Sequence, residues 1–307
     1  MDLRQLRYVI AVADAGGIRK ASRQLDLAQP SLSQALRQLE AELGVQLIRR
    51  STRGIELTEA GDEFLDYARD ILDRVAEVHA AMRRRAEQRS CTLRVGLLAG
   101  IIAAGELTGP IVERFRQARP DVEVQLQDIS FSDQAAPLLD GQVDVAIVRA
   151  PIANRLVDTV PLAHDPRVLL VGATHELAGA ERVDVEEILD ERTVPVIAPK
   201  EFAAHWHLDD LRGGSHVDPA MPAAKTVADL QFAVATGRAI MIAASVTARV
   251  LPNGLVRAVQ VDRLPPSLIE VARPHSDRRR VIRDFVEAAA QAAGENIGLM
   301  PGATLAN

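Results

Sequence analysis

Apolar residues near the start of the chain recur at helical intervals. Leu3, Leu6, Val9, Ile10 and Ala13 form one stripe, which stops at Gly16-Gly17, a pair suited to ending one helix and capping the next. Ile18, Ala21 and Leu25 make a shorter stripe, followed by a turn over Asp26-Leu27-Ala28-Gln29-Pro30. Proline favours the first turn of the helix it opens, so the next helix is placed at about 30–43. It would bury Leu32, Ala35, Leu36 and Leu39, point Ser31, Ser33, Gln34, Arg37 and Gln38 outward, and end at Gly44. Residues 45–57 then show two short alternating runs around a polar turn with Gly54, which predicts a small hairpin.

Thr58-Glu59-Ala60-Gly61 opens a long helix reaching to about residue 89, with acidic groups in its first turn as the helix dipole favours. Its apolar positions, Phe64, Ala68, Ile71, Val75, Val78 and Met82, advance by alternating steps of four and three. That is a heptad seam, and a seam so narrow asks for a partner helix, hence a dimer. From residue 92 strands and helices alternate, with strands expected at 93–98, 122–128 and 143–148 and helices at 107–116 and 135–139. A second set of strands is expected near 168–171, 194–197, 240–242 and 268–272. Alternation of this kind predicts an α/β fold with a mostly parallel sheet covered by helices.

With 307 residues, the chain exceeds one compact core and suits two. Its 48% hydrophobic and 25% charged residues describe a folded rather than a disordered chain. The net charge of −6 argues against a general nucleic-acid binder, but it is unevenly spread. Residues 1–58 hold nine Lys/Arg against six Asp/Glu, or +3, which leaves −9 for the rest. A basic head on an acidic body fits a DNA-reading domain joined to a different one. The single cysteine, Cys91, forms no internal disulfide framework, and the opening residues lack the apolar core of a secretion signal or membrane span, so a cytoplasmic, nucleoid-associated protein is expected.

The residues exposed on the 30–43 helix carry the chemistry of base reading. Glutamine can pair in two-pronged fashion with adenine, and arginine with guanine or phosphate. The expected DNA-binding set is Gln29, Ser31, Ser33, Gln34 and Arg37 on that helix, with Arg49, Arg50 and Arg53 on the hairpin placed to hold phosphates. Gln34 would select a base, whereas Arg53 would strengthen every site alike. A helical hairpin with a merely solvated polar face is the plain alternative, and the adjoining basic hairpin favours DNA.

Several linked motifs resemble the LysR-type transcriptional regulator family. They are Ala21-Ser22-Arg23-Gln24-Leu25, Ser31-Leu32-Ser33-Gln34-Ala35-Leu36-Arg37-Gln38-Leu39-Glu40, Glu42-Leu43-Gly44-Val45-Gln46-Leu47-Ile48-Arg49-Arg50 and Leu57-Thr58-Glu59-Ala60-Gly61. Phe115-Arg116, Arg119-Pro120-Asp121-Val122, Gly141-Gln142-Val143-Asp144-Val145-Ala146-Ile147 and Ala235-Thr236-Gly237-Arg238-Ala239-Ile240 are similar to that family's effector-domain landmarks. The resemblance spans nearly the whole chain. It implies a winged helix-turn-helix over 1–58, with the helix-turn-helix at about 18–37, and a dimerising linker helix over 59–89. It further implies a two-lobed effector domain over 92–307, like a periplasmic binding protein, with lobe I at 92–150 and 267–295 and lobe II at 151–266. Partners implied are operator DNA, a small-molecule effector bound between the lobes, further copies in a homotetramer and, for an activator, RNA polymerase.

The same resemblance carries Gly100, Ser130, Phe202 and Thr226 over as effector-binding positions. Many relatives have Ser or Thr where this chain has Gly100, so backbone groups replace a hydroxyl there. Gly17 stands where the family often has a serine cap, and Ser22 where it has a small alanine; glycine costs only a few tenths of a kcal/mol at such a cap. Trp206 is either a wall of the effector cleft or a packing residue. His205 and His207, two apart on a helix, point roughly 200° from each other and so cannot share one metal. Cys91 reads as an inert thiol or, with no resolving partner, a redox switch; Arg83-Arg84-Arg85 reads as a solvated face. An enzyme is not expected, since there is no phosphate-binding glycine fingerprint, no Gly-x-Ser-x-Gly elbow and no paired metal-ligand motif, and no cofactor is expected. A transported-solute receptor would share the lobes but not the basic head.

Overall fold

The computed structural model describes residues 1–25, 27–51, 54–86, 92–132, 134–250 and 254–306. It divides into two compact units, Met1–His79 and Ala80–Asn307.

The first unit begins with three helices, α1 (Leu3–Ala15), α2 (Ile18–Gln24) and α3 (Gln29–Leu43). Asp2 opens α1 with a capping box to Gln5, and Gly16 closes it in the left-handed conformation at φ +63°. Gly44 closes α3 in the same way at φ +73°. A side chain in that region costs energy that glycine avoids, so both breaks fall where a glycine is available. Val9, Val12, Ala21, Leu32, Leu36, Leu39 and Leu47 make the core of this unit.

Strands β1 (Ile48–Ser51) and β2 (Gly54–Leu57) form the antiparallel hairpin, and α4 (Glu59–Ala86) follows. Two devices fix the hairpin to the helices. The Glu40 carboxylate accepts the backbone N–H groups of Leu47 and Ile48 at 2.8 and 3.1 Å. Thr58 Oγ1 donates to the Gln46 carbonyl at 2.6 Å and accepts the Gly61 N–H at 3.0 Å. Gly61 is needed for close approach, because a Cβ there would stand 2.0 Å from the Leu47 carbonyl oxygen. The Leu47 backbone cannot swing aside as a flexible side chain would, and Leu57 Cδ2 stands 3.2 Å away, so the methyl has no room. Gly61→Ala is therefore expected to cost at least about 1–3 kcal/mol, as overpacking does, and to loosen the hairpin. Thermal unfolding together with amide exchange at Leu47 and Ile48 reads both effects; an unchanged midpoint with unchanged exchange would contradict the account.

The second unit is built on two sheets. Its elements in chain order are β3 (Thr92–Leu98), α5 (Thr108–Ala118), β4 (Glu123–Ile129), α6 (Ala136–Leu139), β5 (Val145–Arg149), β6 (Val157–Asp165), β7 (Arg167–Gly172), β8 (Arg182–Asp184), α7 (Lys200–His207) and α8 (Asp209–Arg212). There follow α9 (Val227–Ala235), β9 (Met241–Ala244), α10 (Ser245–Val250), β10 (Val256–Asp262), β11 (Ser267–Pro274), α11 (Arg280–Asn296) and β12 (Thr304–Leu305). The six-stranded sheet has the order β12-β6-β11-β5-β3-β4, and the four-stranded sheet β8-β10-β7-β9. Helices α5 and α11 cover the larger sheet, joined by an edge-on contact of Phe115 and Phe285 with ring centres 5.3 Å apart.

Three sequence expectations change here. Among the described residues, of the eight strand pairings in this unit only β3–β4, β3–β5 and β8–β10 are parallel, so the mostly parallel expectation is corrected. The long β6 and β11 lie antiparallel in the middle of the larger sheet, where no helical crossover is required. The run 194–197 is not a ladder strand; Thr193 and Val196 make only isolated bridges. Finally, the change of sheet does not fall at 150/151. β6 still belongs to the larger sheet, so the chain crosses between Asp165 and Arg167 and returns between Asp262 and Ser267.

Candidate DNA-reading face and effector site

In the first unit, the buried Leu32, Leu36 and Leu39 turn one face of α3 to the core. Gln29, Ser31, Gln34 and Arg37 are exposed and Ser33 is half-buried. Ser31 and Gln38 also border a hollow of about 230 Å³ shared with Asp2, Arg4, Gln5 and Tyr8 of the first helix region, whose lining does not include Gln34. Arg49 lies opposite Glu56 across the hairpin and pairs with it at 3.2 Å, so its charge is partly met within the hairpin. Arg53 and Cys91 lie outside the described residues, as do the side chains of Arg50 and Arg83-Arg84-Arg85.

The expected α4 seam divides in two. Phe64 packs against the core of the first unit and Ala68 is fully buried. Ile71, Val78 and Met82 remain 38%, 58% and 58% exposed, and Tyr67 joins them at 60%. Along this stretch runs an open apolar furrow of about 410 Å³ lined by Tyr67, Asp70, Ile71, Arg74, Val75 and Val78.

In the second unit, Gly100 and Ser130 follow adjacent parallel strands and lie at the same end of the larger sheet, where the Ala99 N–H donates to the Ile129 carbonyl at 2.9 Å. Gly100 is left-handed at φ +63°, which explains why glycine stands there, and the nearest side-chain atom to a Cβ built on it is Asp128 Oδ1 at 4.0 Å. Ser130 Oγ accepts the Ser132 N–H at 3.1 Å and reaches the Lys225 carbonyl, on the smaller-sheet side, at 3.5 Å. Thr226 is thus brought beside Ser130, but its hydroxyl is used to cap α9, accepting the Asp229 N–H at 3.1 Å in a capping box. Phe202 is buried in the core, with its ring 6.0 Å from that of Trp206. Gly100, Ser130 and Thr226 are therefore drawn to one region, while Phe202 lies in the buried core beside Trp206.

Sequence reasoning missed two arginines. Arg149 closes the otherwise apolar β5 and is fully buried. It donates through Nε to the Ile102 carbonyl at 2.8 Å and through Nη1 to Ser267 Oγ at 2.6 Å. Its Nη2 meets Asp165 Oδ2 at 2.7 Å as an ion pair set off the line of a hydrogen bond, and Asp165 Oδ1 accepts from Ser245 Oγ at 2.6 Å. Burial pushes the Arg149 guanidinium below its ordinary pKa, opposed by Asp165. Arg149 thereby holds the turn after Gly100 and the β6–β7 crossing together. An arginine ending the run Val145-Ala146-Ile147-Val148 was the available signal. The second is Arg167, the first residue of β7, buried beside His205 and Trp206. His207 Nε2 lies 3.0 Å from the Val194 carbonyl.

Comparison with known proteins agrees with both units. Residues 3–62 match the bacterial regulatory helix-turn-helix protein, lysR family, and residues 86–294 match the LysR substrate binding domain. The HTH-type transcriptional regulator AlsR of Bacillus subtilis is 35% identical over 196 residues, a match covering 64% of this chain and 64% of AlsR. The HTH-type transcriptional regulator BudR of Raoultella terrigena is 28% identical over 295 residues, covering 94% of this chain and 99% of BudR. The crystal structure of full-length BenM shares the fold with a TM-score of 0.52 and 24% identity, over 98% of this chain and 100% of that one. AlsR and BudR are regulators rather than enzymes. Since the substrate-binding match alone takes in more than half the residues, and the helix-turn-helix match accounts for the head, the chain belongs to the LysR family of DNA-binding transcriptional regulators.

Proposed function

We propose that the α3 face and the hairpin of this chain read operator DNA and that its second unit binds a small-molecule effector which alters that reading. The observation carrying the first part is the division of α3, in which three buried leucines orient Gln29, Gln34 and Arg37 outward on a helix to which Glu40 fixes the hairpin. Gln34 takes the base-reading role, with Ser31, Ser33, Arg37, Arg49, Arg50 and Arg53 as its supports and phosphate contacts. Gln34→Ala is expected to relax preference at one base pair by roughly 1–3 kcal/mol while leaving other positions alone. Binding to a library of operator variants tests this; equal losses at every sequence would remove the assignment.

The effector site proposed is the region where Gly100 and Ser130 face Lys225 and Thr226, with Phe202 as a further position. Ligands of open α/β sheets collect at strand ends, where loops supply a few directional groups. Because Gly100 offers no side chain, Ser130 supplies one of those groups. Ser130→Val should weaken effector binding by about 1–3 kcal/mol, roughly tenfold, by leaving a polar ligand atom unpaired. By linkage the effector must shift DNA affinity by a coupling of similar size. Calorimetry against metabolites of the neighbouring genes' pathway, followed by footprinting with and without the binder, tests both; an effector that ignores Ser130→Val would displace this residue from the site.

The exposed strip from Tyr67 to Met82 supports self-association through α4, and with it a dimer and then a homotetramer, with RNA polymerase as the further partner of an activator. Among the described residues no helix is long and apolar enough to cross a membrane; we place the protein in the cytoplasm, on the nucleoid.

A further inference from the structure

Arg167 is only 4% exposed. Its Nε donates to the Pro265 carbonyl at 2.6 Å and its Nη1 to the His205 carbonyl at 3.0 Å. The guanidinium carbon stands 5.9 Å from the centre of the Trp206 ring. Burial pushes its pKa down to about 10, partly offset by Asp210, so it stays charged at neutral pH.

Other buried or half-buried arginines of the second unit meet a carboxylate, whereas Arg212 donates to the Ile188, Leu189 and Glu191 carbonyls. The fully buried Arg149 meets Asp165 at 2.7 Å, and the half-buried Arg94 and Arg279 share Asp144 at 3.1 and 2.7 Å. Arg167 has none within 4.0 Å among the described residues, and Asp210 acts on it only from farther away. A buried charge without a counterion is costly, and neutral carbonyls offset only part of that cost. Beside it, Trp206 Nε1 is a buried donor with no acceptor among the described residues. Two donors in one cluster, one of them charged, lack an acceptor that carries negative charge.

The place also suits a ligand. Arg167 begins β7 immediately after the crossing at Asp165-Pro166, and Pro265 lies in the returning segment 263–266. The cation therefore stands at the base of the two crossings, where movement of one sheet against the other would admit an occupant.

We infer that Arg167 and Trp206 form an oxyanion-binding subsite at the base of the second unit, taking the carboxylate or phosphate group of a small organic ligand. The guanidinium fork matches such planar or tetrahedral oxyanions, and the indole adds a donor and an apolar wall. This deepens the effector reading above and rests on it for the regulatory consequence.

Trp206 is the chain's single tryptophan, so its emission reports on this site alone. Full-length protein is titrated with sodium formate, acetate, succinate and inorganic phosphate, each against sodium chloride at equal ionic strength, with emission and calorimetry read together. A saturable response to at least one carboxylate or to phosphate, absent with chloride, is expected, and the arm that responds identifies the group. Arg167→Gln should weaken it about tenfold or more, with Arg167→Lys in between. If Arg167→Gln fails to fold, Trp206→Phe keeps the cation and removes one donor; calorimetry should then show binding weakened several-fold. No saturable response to any of the four anions overturns the subsite, as does unchanged affinity in the variants that fold. A response lost in Arg167→Gln but without any effect on the operator footprint upholds the subsite and removes its role in regulation. A footprint shifted by an anion that ignores Arg167→Gln keeps the effector reading and overturns the subsite.

Discussion

Replacing Asp165 by alanine is expected to destabilise the second unit by about 3–5 kcal/mol, the usual cost of stranding one partner of a buried ion pair. The Arg149 and Asp165 side chains are only 2% and 0% exposed. Removal of the carboxylate leaves a buried guanidinium whose acceptors among the described residues are the Ile102 carbonyl and the Ser267 hydroxyl. It also strands the Ser245 hydroxyl, which donates to Asp165. For a unit of this size each kcal/mol moves the melting temperature by roughly 2–4 °C, so a fall of about 6–20 °C should be seen by circular dichroism. Replacing both residues, as Arg149→Met with Asp165→Leu, should recover much of the loss, because the desolvation cost disappears with the charges. An Asp165→Ala midpoint within a degree or two of the parent would show that the pair contributes little.

The double variant Ile71→Asp, Val75→Asp is expected to separate the copies of the chain and weaken binding to a two-half-site operator by about 10²–10⁴-fold, the advantage that linkage of two binding modules confers. The apolar furrow from Tyr67 to Val78 is bordered by Asp70 and Arg74, so polar groups edge an apolar strip as in a helix-to-helix seam. Ile71 and Val78 are too exposed to be serving the core of their own unit. By contrast Phe64 and Ala68 already pack within it, so Phe64→Ala should damage the head's stability rather than its association. Sedimentation of the full chain distinguishes the two. If the Asp double variant keeps the parent's mass and operator affinity, α4 does not carry the association.

Of the candidate site, the DNA-reading half was the more legible. Leu32, Leu36 and Leu39 lie three and four residues apart, and that spacing alone settles which side of α3 meets the core and leaves Gln34 and Arg37 outside. The effector half was legible only as a list of positions. Thr226 proves to be a helix cap and Phe202 a core residue, whereas the buried Arg149 and Arg167 went unnoticed. Arginine in a sequence reads as surface, and burial depends on which distant groups receive its five N–H bonds.

The sequence by itself determined the three-helix head, the hairpin and the start of the long helix, since these rest on contacts between near neighbours and on glycines at Gly16, Gly44 and Gly61. It also placed β3, α5, β4, α6 and β5 to within a few residues, because each is a short local pattern bounded by polar turns. Only the tertiary structure decided which sheet each later strand joins. β6 is bound to the larger sheet by pairing with β11, Val157 opposite Pro274 at one end and Asp165 opposite Ser267 at the other, partners about a hundred residues apart. No periodicity within β6 can announce that choice, for hydrogen bonds of a ladder are identical whichever strand supplies them. The same holds for the seam of α4: six apolar positions are evident in the sequence, but only the packed head shows that Phe64 and Ala68 are already used and that the strip beginning at Tyr67 and Ile71 is left over.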